Sequence, residues 1–244
     1  MSESIVTPDW PAPPRVRAAS TLRTGGTSRP PFDSFNLAAH VGDDPAHVIG
    51  NRQRLRELLQ LGTEPRWLDQ VHGTQVVRAA PGREPPRADA SFAIEPGQVC
   101  VVMTADCLPV LLAARDGSRV AAAHAGWRGL AAGVLEETVR TLGVPRGQLV
   151  AWLGPAIEPE RFEVGPEVRA AFLAHDGTAG SAFVPHGKGK WLADLYELAR
   201  LRLRRLGVDS VSGGDRGTWR ERAAFYSHRR DGRCGRMATL IWIE

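Results

Sequence analysis

The chain has 244 residues, 43% hydrophobic and 24% charged, a size and balance that suit one large domain with its own core and exclude a disordered, collagen-like or coiled-coil chain. Its 31 Lys+Arg against 27 Asp+Glu leave a formal charge of only +4. Spread over a domain of this size, with no run of five like charges, that field argues against a nucleic-acid partner.

In chain order, residues 1–19 read as an extended leader. Its first 14 residues carry Glu3, Asp9 and four prolines but no basic start followed by an apolar stretch, so it is not a signal peptide. Residues 20–244 read as a single domain, because the Pro/Gly-rich interruptions at 29–32, 81–87 and 213–217 are too short to be interdomain linkers. Asp44-Pro45 caps and opens a first helix that places Val48, Leu55, Leu58 and Leu59 ahead of a stop at Gly62. Strands are expected at 66–71 and 75–79 around His72-Gly73-Thr74, at 99–104, and at 110–114 and 120–123 around Asp116-Gly117, a hairpin signal. The most apolar stretch, 98–114, is broken by Asp106 and Pro109 and is too short for a spanning helix. We therefore expect no membrane partner and a cytoplasmic location.

A helix follows at 127–142, ending at Gly143, then strands at 149–153 and 161–164. Further helices are expected at 166–176 and, capped by Asp194, at 195–206, and final strands at 223–226 and 238–243. Strands outnumber helices and several are joined by hairpins. The pattern implies an α+β fold, with mixed or antiparallel β-sheets flanked by helices in a single-domain sandwich, over a doubly wound parallel sheet.

Three borderline or soft ligands, His72, Cys107 and His124, each end a strand-like run beside small or turn residues. Two imidazoles and a thiolate make a three-ligand zinc site with a fourth position open, the arrangement of a catalytic metal. The plain alternative is a buried cysteine with two hydrogen-bonded histidines, since spacings of 35 and 17 residues match no short metal motif. Arg229 and Arg230, in Ser227-His228-Arg229-Arg230-Asp231-Gly232, offer paired forks for phosphate or carboxylate, or else form a solvated turn. The loop Arg23-Thr24-Gly25-Gly26-Thr27-Ser28 could present amides to an anion. Trp127 beside a ligand is either core or a stacking surface for a base.

Together, Gln70-Val71-His72-Gly73, Thr104-Ala105-Asp106-Cys107-Leu108-Pro109-Val110, His124-Ala125-Gly126-Trp127-Arg128-Gly129, Leu153-Gly154-Pro155 and Tyr226-Ser227-His228-Arg229-Arg230-Asp231-Gly232 resemble the YfiH-like, laccase-domain family. Asn36-Leu37 and His40-Val41-Gly42-Asp43-Asp44 fit as well, so the resemblance runs over residues 20–244. It implies a purine nucleoside phosphorylase with adenosine deaminase and methylthioadenosine phosphorylase activities, acting on adenosine, inosine, guanosine or methylthioadenosine with phosphate. It also implies zinc, in preference to copper, on His72, Cys107 and His124. Catalytic roles then fall to Asp106, as proton carrier or orienting group, with Cys107 and His124. Substrate contacts fall to Arg23, Asn36, His40, Gln70, Trp127, Arg128, Arg229 and Arg230. The expected partners are the small nucleoside and phosphate, on a monomer or weak homo-oligomer. Three alternatives stand beside this reading: a Cys-His hydrolase with Cys107 as nucleophile, a copper-dependent polyphenol oxidase, and a cellular role in peptidoglycan editing, for which some family members are named. The oxidase is disfavoured by ligand count, because all seven histidines are isolated, with no His-x-His.

Overall fold

The computed structural model describes residues 4–82 and 84–244. Strand β1 (Ile5–Val6) and strand β2 (Val16–Thr21) precede helix α1 (Pro45–Leu58). The central run holds β3 (Val76–Arg78), β4 (Ala90–Ala93), β5 (Val99–Thr104), β6 (Leu108–Ala114) and β7 (Val120–Ala125), followed by helices α2 (Trp127–Ala132) and α3 (Val134–Leu142). Then come β8 (Leu149–Leu153), β9 (Glu163–Val164), α4 (Pro166–Leu173), β10 (Phe183–His186), β11 (Lys190–Ala193) and α5 (Leu195–Arg205). The chain closes with β12 (Ser210–Gly213), the single turn α6 (His228–Asp231) and β13 (Met237–Ile243).

Two sheets carry the molecule. One has the order β12-β8-β6-β7-β4-β3 and the other β1-β2-β13-β5, with a small third sheet β10-β11-β9 at the side. Most pairings are antiparallel, while β12 with β8 and β3 with β4 are parallel, giving the expected α+β class. Alternation along the strands explains why the sheets stack. On β6, Val110 and Leu112 face a core shared with α2, α3 and α5, whereas Leu111 and Ala113 face a second core shared with Cys100, Val102 and Ile241 of the other sheet. On that sheet Val99, Val101, Met103 and Leu240 point outward into a third core, under Leu55 of α1. The layers run helices, six-stranded sheet, four-stranded sheet, helix. Because β5, β6 and β7 are covered on both faces, their sequences are continuous apolar runs, as buried strands require.

The connection Ala105-Asp106-Cys107 between β5 and β6 crosses from one sheet to the other. It therefore lies on the rim where the site is built.

Several expectations change. Within the expected extended leader, Ile5 and Val6 pair with Thr21 and Ser20, and β2 begins at Val16 and pairs with β13. Residues 1–3 lie outside the described residues. The expected strand 66–71 makes only isolated bridges, Arg66 to Cys100 and Asp69 to Arg87. The expected helix 127–142 is two helices, because Gly133 takes φ of +103°, its N–H closing α2 on Gly129 and its carbonyl opening α3 at Glu137. The run 223–226 is apolar for core packing and not for strand pairing: Phe225 and Tyr226 are fully buried, while the N–H groups of Ala224 and Phe225 turn back onto the Glu221 carbonyl.

Candidate metal centre and its cavity

His72, Cys107 and His124 meet on the rim of the sandwich, their ligand atoms all within 4.8 Å of one another. His124 is near the end of β7, Cys107 stands at the start of β6, and His72 lies in the turn before β3, with φ of +60°. Cys107 Sγ is 3.9 Å from His72 Nε2, and the two imidazoles meet edge to face with centroids 4.8 Å apart. Zinc bonds of about 2.1 and 2.3 Å at a tetrahedral angle separate two donors by roughly 3.6 Å, so a small inward adjustment seats an ion. The space between the donors depends on Gly126. A Cβ there would stand 3.0 Å from both Cys107 Sγ and His72 Cδ2, and 3.4 Å from His124 Nε2. Two imidazoles and a thiolate suit zinc or copper, so donor chemistry and space both fit a metal. Among the described residues this is the one group of metal-ligating side chains that assembles.

Asp89, fully buried, joins two of the three ligands. Its carboxylate accepts from His124 Nδ1 at 2.8 Å, from the His72 amide at 2.9 Å, from Gly73 at 2.6 Å and from Val71 at 3.2 Å. Burial opposes its ionisation, yet the His124 and backbone hydrogen bonds prevail and hold it below the usual carboxylate range. Burial likewise pushes the Cys107 thiol up, but His124 and His72 beside it outweigh that and bring it down to about 6. Burial would lower His124, which the Cys107 thiolate and Asp89 instead raise to about 9. Each of the two thus favours the charged form of the other. A metal would take the proton's place.

The triad opens into a cavity of about 360 Å³ whose wall includes His40, Gln70, Met103, Arg128, His228 and Arg236. Of the expected substrate residues, His40, Gln70 and Arg128 are therefore at the site. Gln70 clips the strand end of β5, its amide donating to the Met103 carbonyl at 2.9 Å and accepting from the Met103 N–H at 2.7 Å. Burial and then Arg236 hold His40 below the usual histidine value. The exposed Arg128 guanidinium lies 4.6 Å from the centroid of the Trp127 ring, with no ion-pair partner among the described residues. Trp127 itself packs against the helical core, outside the cavity wall, with the Arg128 guanidinium over its ring.

The other expected site residues have these partners. All five Arg230 N–H groups are engaged: Nε and one from NH2 on Asp231, two from NH1 on the Thr218 and Trp219 carbonyls, and the other from NH2 on the Phe225 carbonyl. Arg229 reaches away to the Arg161 and Glu163 carbonyls and over Phe162. Arg23 bonds Asp33 and the Arg222 carbonyl and lines a different cavity. Asn36 is fully buried, with Ala38, Asp43 and the Arg236 N–H satisfying its amide. Asp106, at φ of +95°, spends Oδ1 on the Thr218 hydroxyl and Oδ2 on the Arg229 N–H, both at 2.6 Å. These two bonds tie it to the 218–231 loop.

Three residues at the site escaped sequence reasoning. His228 lies in the recognised segment but its arginine neighbours drew the attention. Arg236 had no motif. Asp89 sits in Ala88-Asp89-Ala90, where a lone acid between alanines ahead of a buried strand is itself a signal, since such a charge needs partners.

The family model described as multi-copper polyphenol oxidoreductase laccase matches residues 17–244. A protein of Pseudomonas aeruginosa named purine nucleoside phosphorylase is 59% identical over 240 residues, covering 98% of each chain. The purine nucleoside phosphorylase YfiH of Escherichia coli is 55% identical over 246 residues, covering 100% of each. Among solved structures, a Neisseria meningitidis protein superposes with a TM-score of 0.96 at 49% identity, over 99% of this chain and 100% of its own. A hypothetical protein YfiH of Bacillus licheniformis superposes at 0.92 with 29% identity, over 100% and 97%.

Proposed function

The chain belongs to the multi-copper polyphenol oxidoreductase laccase family, and from that membership we propose that it is a zinc-dependent purine nucleoside phosphorylase. It takes adenosine, inosine, guanosine or methylthioadenosine with phosphate to the free base and the sugar 1-phosphate, and it also deaminates adenosine. The observation that carries this reading is a His-Cys-His donor set opening into a cavity whose wall holds two arginines. The naming of the P. aeruginosa and E. coli relatives supports it. The copper-oxidase reading is disfavoured because one three-ligand group assembles among the described residues.

Phosphorolysis needs phosphate held on one face of the ribose C1′, its charge balanced, and a proton delivered to the departing purine. Arg128, uncommitted to any carboxylate, supplies one fork. Arg236 spends NH1 on the Cys234 and Gly235 carbonyls and keeps its other nitrogens free of protein partners among the described residues, which makes it the second. His228 Nδ1 donates to the Gly232 carbonyl at 2.7 Å, leaving Nε2 to exchange a proton with a bound purine. His40, held below the usual histidine value by burial and then Arg236, offers a second ring for base recognition. Zinc bound by His72, Cys107 and His124 supplies Lewis-acid polarisation in the same cavity.

Chromatography of products from adenosine tests the reading. With phosphate, adenine and ribose 1-phosphate should appear, and without it only inosine. Absence of any phosphate-dependent base release would overturn the phosphorylase. One observation favours a second reading: Cys107 Sγ and a His124 ring nitrogen lie within 4.8 Å of each other, which is also the pair of a Cys-His hydrolase. Full activity after zinc removal would favour that reading.

A further inference from the structure

We propose that Asp89 is the positioning residue of the metal centre, a single carboxylate that fixes the His72 turn and the His124 imidazole relative to each other and holds His124 in the tautomer that presents Nε2. The proposal rests on reading the triad as a metal site. Pairing of Ala90 with Ala123 on the neighbouring antiparallel strands sets Asp89 beside His124, and the His124 amide also donates to the Asp89 carbonyl at 2.7 Å. From the other side, the turn at His72 aims three consecutive amides, those of Val71, His72 and Gly73, at the same carboxylate.

Four N–H groups thus converge on two oxygens, each oxygen accepting two, which fills the acceptor capacity of an ionised carboxylate. The arrangement admits only an acceptor. An amide in its place would keep one oxygen for two of the four donors and turn an NH2 toward the other two. Whichever way it faced, either the His72 turn would lose its anchor or His124 would meet a donor at Nδ1. In the second case the ring would have to release its Nδ1 proton and carry it on Nε2, which is the nitrogen beside Cys107 and Gly126. Partners of this kind beyond the ligands set affinity because they pay the orientation of the ligands before the ion arrives.

The test is zinc affinity, measured by competition with a chromophoric chelator on folded protein. Asp89→Asn should bind zinc about 10- to 100-fold more weakly than the wild type. Thr239→Val, which breaks the buried Ser20–Thr239 hydroxyl pair on the other sheet without touching a ligand or Asp89, should lose stability with zinc affinity unchanged, separating positioning from fold maintenance. Independently of whether Asp89→Asn folds, nitrogen-15 NMR of the zinc-loaded wild type should place a slowly exchanging proton on His124 Nδ1. Unchanged zinc affinity in folded Asp89→Asn, or a proton on His124 Nε2, would overturn the positioning role alone. A wild type that takes up no zinc would overturn the metal reading and this proposal with it.

Discussion

A guanidinium can hold a ligand only with N–H groups that the protein has not already used. By that criterion Arg230 is structural, while Arg128 and Arg236 remain available at the cavity. Arg128→Ala and Arg236→Ala should each raise the phosphate KM by about 10- to 150-fold, the equivalent of roughly 1.5 to 3 kcal/mol for a charge-assisted contact. Arg230→Ala should instead lower the unfolding midpoint in urea, because it strands the Thr218, Trp219 and Phe225 carbonyls. Asp231, held below its ordinary value of 3.8 first by the hydrogen bond from Arg230, makes this loop acid-sensitive. Because its folded value is depressed, its stabilisation is present above the unfolded value and lost as pH falls through the lower folded one. Urea unfolding of Asp231→Asn should therefore lag the wild type at pH 7, the gap closing as pH falls below 3.8 through the depressed folded value. At this scale His72, Cys107 and His124 were legible because ligand chemistry shows in residue type. The hydrogen-bond partners of Arg230 and Asp106 were not legible, because they depend on which backbone groups a distant loop brings to them.

At the scale of elements, the site is made of strand ends and the small residues between them. Gly126 separates His124 from α2 and keeps the space between the three donors. Gly126→Ala should retain the secondary structure seen by circular dichroism while losing zinc on metal analysis, since its Cβ would crowd a sulfur and a ring carbon at 3.0 Å. The neighbouring Gly133, by contrast, only breaks the helix. The buried strands β5, β6 and β7 and the capped helices α1 and α5 could be read directly, since continuous apolar runs and Asp caps are local signals. Pairing is not local, which is why 66–71 looked like a strand while β2 and β4 escaped notice. Sequence periodicity reports burial, and 223–226 is buried without a strand partner.

For the whole molecule, phosphate dependence and metal dependence should separate the two proposed chemistries. Withholding phosphate should stop adenine release and leave conversion of adenosine to inosine, and His72→Ala should abolish both, as product chromatography would show. The α+β sandwich of sheets flanked by helices was legible from the excess of hairpin-joined strands, but the division of strands between the two sheets was not. Nothing in one strand says which sheet it joins.

The crossing from β5 to β6 has a thermal consequence. Cys107 hangs on the link between the two sheets, while His124 belongs to the six-stranded sheet, so an ion on the triad would tie that sheet to the segment that leaves its neighbour. A ligand bound only by the native state raises the melting temperature in proportion to the logarithm of its concentration. A calorimeter should therefore detect zinc occupancy without any substrate. Titrating zinc into metal-free protein should move the transition upward, and Cys107→Ser should flatten that response. An unmoved transition in the wild type would show that the triad holds no zinc.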